Sequence, residues 1–106
     1  MRYNTQLIIG IICLVGVACG TTARLFPDEK NLLVYQNKVP GITYEQVKQG
    51  ASLYTKTCGG CHKLHEPSEY TVEGWSKNLR EMFPKAHVDK EDQQTLVRNY
   101  LFALSK

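Results

Sequence analysis

Apolar residues recur at helical spacing along the C-terminal part of the chain, beginning just after residue 42. Thr43 and Gln46 have the spacing of a capping box, in which each side chain bonds to the backbone N–H of the other residue. Ile42 before the cap and Val47 in the first turn have the spacing of a hydrophobic staple. The inner face of this first predicted helix consists of Val47, Gly50, Ala51, Tyr54 and Cys58.

Two further helices are expected. The second begins after Thr71 and ends before Pro84, because a proline disfavours helical geometry in the residue before it. Its inner face consists of Trp75, Leu79 and Met82. The third begins at Asp89 and has acidic residues at positions 91 and 92, where the helix dipole favours them. Its predicted buried positions are Leu96, Val97, Tyr100, Leu101 and Leu104.

These three helices, with almost no strand pattern beside them, predict an all-α domain over residues 43–106. A domain of about 60 residues buries only about 60% of the surface that its unfolded chain exposes. We therefore expect a small hydrophobic core whose centre is filled in part by a group other than the side chains of the protein.

The N-terminal residues have the pattern of an export signal. Residues 7–18 are all Leu, Ile, Val, Ala, Gly or Cys, a run that fits a signal peptide and is shorter than the about 20 residues of a membrane span. The small residues before Cys19 resemble a bacterial lipoprotein signal, although Gly16 stands where that signal usually has a large aliphatic residue. We predict a signal peptide over residues 1–18, a lipidated Cys19, and a tether over residues 19–42.

A retained membrane helix and cleavage without lipidation stay open for this N-terminal segment. All three alternatives place the rest of the chain outside the cytoplasm, on the periplasmic side, attached to a membrane or close to one. With 13 Lys and Arg against 10 Asp and Glu, the 106-residue chain has a formal net charge of +3. So small an excess does not indicate binding to nucleic acid.

The segment Cys58-Gly59-Gly60-Cys61-His62 has the attachment pattern of c-type haem. Two thiols at this spacing reach the two vinyl groups on one edge of the porphyrin and form thioethers. His62 is then held beneath the iron as its proximal ligand. We therefore predict one covalent haem c with its iron, bound through Cys58, Cys61 and His62.

The cysteine pair fits three different kinds of site less well. A redox-active Cys-x-x-Cys is expected within a βαβ pattern, which the sequence lacks. A zinc site that added His62 and His65 would draw all its ligands from one short segment, whereas structural zinc sites normally combine ligand pairs from separate segments. His65 is instead expected to be a solvated loop residue. A disulfide between Cys58 and Cys61 would close too short a loop to stabilise the fold much.

From about Tyr44 to its end, the chain resembles the small class I-like monohaem cytochromes c of bacteria. The matching positions outside the motif are Gly50, Tyr54, Pro67, Trp75, Met82, Val97, Tyr100 and Leu101. The resemblance implies a fold of three or more short helices around the covalent haem. It also implies that the first and last helices cross at near right angles, with the glycine permitting their close approach.

The resemblance further implies a second axial ligand. Met82 is the expected distal ligand of the iron, because it is the only methionine left after removal of the signal peptide. His87 is the rival, and an open sixth position is a further alternative. The carbonyl of Pro67 is expected to accept the second ring N–H of His62, and the indole of Trp75 to lie beside the haem or bond to a propionate. The alternatives that Pro67 is an ordinary turn residue and that Trp75 is an ordinary core aromatic stay open.

With both axial positions filled, the iron offers no site to a substrate. We therefore predict an electron-transfer protein rather than an enzyme, which passes single electrons between membrane-bound or periplasmic redox proteins. Two further functions stay open. One is a haem-based sensor or peroxidase-like protein with an open iron position, and the other is a fixed accessory subunit of a larger redox complex.

Overall fold

A computed structural model describes residues 25–59 and 63–106 of the chain. Within these ranges the backbone is all-helical and contains no strand. The four α-helices are α1 (Leu32–Lys38), α2 (Tyr44–Cys58), α3 (Val72–Lys85) and α4 (Glu91–Leu104), with 3₁₀ turns at Glu29–Asn31 and Pro67–Glu69. The predicted all-α class is thereby confirmed. The predicted signal peptide and Cys19 lie outside the described residues.

The beginning of α2 is as predicted. The backbone N–H of Gln46 donates to Thr43 Oγ1 at 3.1 Å, and the N–H of Thr43 donates to Gln46 Oε1 at 3.0 Å, which completes the capping box. Ile42 and Val47 on either side of the cap are both buried. The predicted inner face of α2 is buried in full, and it consists of Val47, Gly50, Ala51, Tyr54 and Cys58.

Helix α2 packs chiefly on α4, and Gly50 lies at their closest approach. A methyl group at Gly50 would overlap the carbonyl oxygen of Leu96 and would lie 2.5 Å from the Cβ atom of Tyr100. Val97, Tyr100 and Leu101 of α4 have no exposed surface. The close approach expected at this glycine is therefore present.

Helix α4 differs from its prediction in two details. It begins at Glu91 with Lys90 as its N-cap, two residues later than expected, although Glu91 and Asp92 do occupy its first turn. Leu96 and Leu104 are only half-buried, and Ala103 is buried in place of Leu104. The two leucines therefore lie at the edge of the buried face rather than within it.

Helix α3 does not end before Pro84, and that prediction is wrong. The helix continues through the proline to Lys85 even though Pro84 offers no N–H to the carbonyl of Arg80, because Phe83 is buried and the hydrogen bonds that follow hold the last turn. The helix then closes with a Schellman motif. The N–H of His87 donates to the carbonyl of Pro84 at 3.2 Å, and the N–H of Val88 donates to that of Phe83 at 3.0 Å.

Residues 25–42 differ from the flexible tether predicted there. Tyr35 of α1 is buried, and its hydroxyl accepts the backbone N–H of Asp28 at 3.0 Å. The hydroxyl of Tyr100 donates to the carbonyl of Leu25, and the ammonium of Lys38 donates to the carbonyl of Ser105. The segment is therefore attached to α4 from Leu25 onward. None of the helices in residues 25–59 and 63–106 has the length and apolar character needed to cross a membrane.

We expect Gly50→Ala to lower the free energy of unfolding by about 1–3 kcal/mol, because α2 and α4 must separate to admit the new methyl group. Urea denaturation measures this change. Ser52→Ala is the matched control, since Ser52 is exposed on the same helix and alanine favours helix there. Equal stability of the two variants would contradict a tight contact at Gly50.

We expect His87→Gly to raise the free energy of unfolding by about 0.5–1 kcal/mol. His87 has a φ angle of 57°, a left-handed conformation that glycine adopts without the steric cost that other residues carry. His87→Ala is the control, because it removes the imidazole and keeps the backbone cost. If thermal unfolding shows no advantage of glycine over alanine, the backbone of His87 is not under strain.

Candidate functional site

The end of α2 and one face of α3 enclose a cavity of about 110 Å³, named here the α2–α3 cavity. Its lining brings together several residues singled out from the sequence. Cys58 comes from the last turn of α2, and Trp75, Leu79 and Met82 come from α3. The inner face predicted for the second helix therefore lines the cavity as a unit.

Cys58 and Met82 are the two sulfur-bearing side chains of this lining. Cys58 is the last residue of α2 and is buried, with only 5% of its surface exposed. Met82 lies near the C-terminal end of α3 and is half-buried. The fold thus brings two sulfur atoms to one cavity across the 24 positions (82 − 58) that separate them along the chain.

Aromatic rings form much of the cavity wall. The ring of Trp75 meets that of Tyr54 edge to face, with centroids 6.2 Å apart, and that of Tyr70 in the same way at 5.0 Å. Behind them, the ring of Tyr54 lies 5.7 Å from that of Tyr100 on α4. Edge-to-face pairs of this kind add stability beyond the area that they bury. The aromatic part of the wall is therefore closely packed and apolar, while His65, Asn78 and Glu81 add polar groups to the lining.

Trp75 and Pro67, both expected near the haem, contact each other. The indole N–H of Trp75 donates to the carbonyl of Pro67 at 2.8 Å in a buried hydrogen bond. The indole N–H is thus directed at Pro67, while the predicted position of the Trp75 ring beside the haem and its alternative role as a core aromatic both stay open. The carbonyl of Pro67 keeps a second lone pair, so its expected bond to the ring of His62 stays a prediction.

His65 is an exposed loop residue, as predicted, and it also contacts neighbouring groups. Its side chain lines the α2–α3 cavity, and its Nδ1 lies 2.7 Å from Oε2 of Glu69. The hydrogen bond from His65 holds the pKa of Glu69 below its usual value. The hydroxyl of Tyr54 donates to the carbonyl of His65 at 2.8 Å and so fixes this loop to α2. The four-residue spacing of His65 and Glu69 is the one signal of the pair in the sequence.

Of three further residues predicted as haem ligands or as a rival ligand, the structure describes only His87. Cys61 and His62 lie outside the described residues, so their predicted roles stay predictions. His87 is exposed at the end of α3 and is not part of the described lining of the α2–α3 cavity. Its left-handed backbone closes the Schellman motif, which is a structural role independent of any ligand.

Comparisons of the chain with protein-family models, with curated proteins and with solved structures found no match. Any function must therefore be argued from the residues of this chain. Those residues are the Cys-x-x-Cys-His segment in the sequence and the side chains that surround Cys58 in the fold.

We expect the free energy of unfolding to fall as the pH rises above about 10, the ordinary pKa of tyrosine. Burial raises the pKa of both Tyr54 and Tyr100. The folded state then holds more protons than the unfolded state above that pH, so alkali favours unfolding. Urea denaturation from about pH 8 to about pH 11 measures the slope. The double variant Tyr54→Phe, Tyr100→Phe should show a shallower slope than the parent chain, and equal slopes would contradict this origin.

Proposed function

We propose that the chain is a c-type cytochrome, a monohaem carrier of single electrons. The observation that carries the proposal is the lining of the α2–α3 cavity. Cys58, the first residue of the Cys-x-x-Cys-His segment, and Met82, the candidate distal ligand, border the same cavity. These residues belong to different helices, and no local sequence pattern requires them to meet.

The chemistry of the cavity suits a haem. Cysteine thiols form the thioethers of c-type haem, and histidine with methionine is a ligand pair found in cytochromes c. Aromatic and apolar side chains around the sulfur atoms exclude water, which is one of the means by which a protein sets the potential of a haem. The enclosed volume of about 110 Å³ is below the about 300–1,000 Å³ of usual ligand sites. A porphyrin would therefore extend beyond this cavity.

Each residue has a distinct part in this proposal. Cys58 and Cys61 would hold the porphyrin covalently, and His62 and Met82 would bind its iron. When bound, the haem supplies a one-electron couple between ferric and ferrous iron. Trp75 and Pro67 keep α3 and the 3₁₀ turn together through their hydrogen bond, so Met82 is presented from a fixed helix. With both axial positions occupied, the protein carries electrons and is not an enzyme.

The proposed location is the outer side of a membrane, with Cys19 as the lipid anchor and membrane-bound or periplasmic redox proteins as partners. Since the carbonyl of Leu25 is bonded to Tyr100, the stretch from Cys19 to the described fold is much shorter than the predicted tether over residues 19–42. An extended chain spans at most about 3.6 Å per residue. The six steps from Cys19 to Leu25 therefore reach roughly 20 Å, which keeps the domain beside the membrane surface.

Optical spectra of the full-length chain, produced together with a haem-attachment system, test the proposal. Covalent haem with low-spin bands and no response of the reduced protein to carbon monoxide is the expected result. A high-spin spectrum that shifts with carbon monoxide would indicate a sensor or a peroxidase-like protein instead. The absence of any covalently held haem would contradict the proposal as a whole.

The variant Met82→Leu tests the distal ligand. Leucine preserves most of the side-chain volume but cannot bind iron, so we expect the midpoint potential to fall by on the order of 0.1 V and the reduced protein to bind carbon monoxide. Redox titration and carbon monoxide difference spectra measure the two effects. The control is His87→Ala, which should leave the midpoint potential and the binding of carbon monoxide unchanged. If His87→Ala changes both quantities and Met82→Leu changes neither, the distal ligand is His87.

A further inference from the structure

A second concave surface lies between α3 and α4. This α3–α4 groove has a volume of about 400 Å³, within the about 300–1,000 Å³ range of small-molecule sites. Its described lining shares only Leu79 with the α2–α3 cavity. The apolar side of the groove consists of Leu79, Phe83 and Pro84. None of the residues proposed to ligate iron belongs to this lining, so the groove can be considered independently of haem.

Two arginines, Arg80 of α3 and Arg98 of α4, line the same groove. The guanidinium of Arg98 lies over the ring of Phe83, 5.8 Å from its centroid, a cation–π contact that restricts the side chain. In the part of the chain that the structure describes, neither arginine has a carboxylate within 4.0 Å. The groove therefore presents two positive charges that no neighbouring acid neutralises.

The sequence accounts for these unneutralised charges. Residues three and four positions apart on a helix are neighbours on its surface. Around Arg80 those positions hold Ser, Lys, Phe and Pro, and around Arg98 they hold Gln, Thr, Leu and Phe. Lys77 differs, because Glu73 and Glu81 stand four residues before and after it. Lys77 is thus a nearby cation with acidic neighbours and serves as a comparison.

We propose that the α3–α4 groove binds a phosphate monoester that carries an apolar substituent. A guanidinium binds phosphate oxygens through two parallel hydrogen bonds, and a phosphate monoester with about −1.5 to −2 charges matches two arginines. The hydroxyl of Ser76 and the amide of Gln94 border the same groove and offer further polar contacts. Pro84, the exposed apolar residue of the lining, then contacts the apolar substituent.

Calorimetric titration of the full-length chain with phenyl phosphate, in a buffer without phosphate, tests this inference. We expect saturable binding that Arg80→Gln and Arg98→Gln each weaken by about tenfold, since a charge-assisted hydrogen bond is lost. Arg98→Lys should fall between the parent chain and Arg98→Gln, because lysine keeps the charge but not the planar fork. Lys77→Gln removes the same charge from the surface of α3 and should change the affinity by less than about twofold.

The natural source of the phosphate is either a soluble compound or a lipid headgroup, and a second titration distinguishes them. The full-length chain is reconstituted in vesicles of phosphatidylcholine that contain either phosphatidic acid or phosphatidylglycerol at equal surface charge, and titrated with phenyl phosphate. A lower affinity in vesicles with phosphatidic acid indicates that the lipid phosphate reaches the groove, whereas equal affinities indicate a soluble ligand.

Absence of saturable binding, or equal losses in Lys77→Gln and Arg80→Gln, would overturn the inference. Thermal melts show whether each variant is folded. Arg80→Gln, at an exposed position, remains informative if Arg98→Gln is not folded.

Discussion

The close approach of α2 and α4 at Gly50 is the contact from which the other parts of the structure take their positions. Because no side chain separates the helices there, the rings of Tyr54 and Tyr100 come within 5.7 Å of each other. Each tyrosine then uses its hydroxyl to hold another segment. Tyr54 bonds to the carbonyl of His65, and Tyr100 bonds to that of Leu25. The close approach at Gly50 thus positions the two tyrosines that hold the loop after α2 and the N-terminal segment.

The same arrangement gives the α2–α3 cavity fixed walls. Cys58 and Met82 are carried by helices, which position side chains more accurately than loops do. Trp75 joins the two parts of the wall, since its ring packs on Tyr54 and its N–H bonds to the carbonyl of Pro67. Within the described residues, every buried side-chain nitrogen or oxygen has a hydrogen-bond partner.

Sequence patterns predict the elements whose signals are local. The capping box at Thr43 and the buried face of α2 follow from residue spacing, and the structure contains them. For α4, spacing predicts the centre of the buried face (Val97, Tyr100 and Leu101) but not its edges. No pattern predicts helix α1, because Tyr35 is its only buried residue and one position forms no periodic pattern. The predicted end of α3 is wrong because Pro84 does not stop the helix, which instead ends in a Schellman motif with His87 at the position where glycine is usual. The hydrogen bond between Trp75 and Pro67 cannot be predicted from residue spacing, because it depends on how α3 packs against the 3₁₀ turn.

The attachment of Leu25 to α4 changes how the proposed carrier would meet its partners. A flexible tether over residues 19–42 would let the domain sample a wide volume above the membrane. The bonds from Tyr100 to Leu25 and from Lys38 to Ser105 remove most of that freedom. An anchor at Cys19 would then keep the domain within roughly 20 Å of the lipid surface. Such a short link favours electron exchange with proteins embedded in the same membrane over exchange with distant soluble partners.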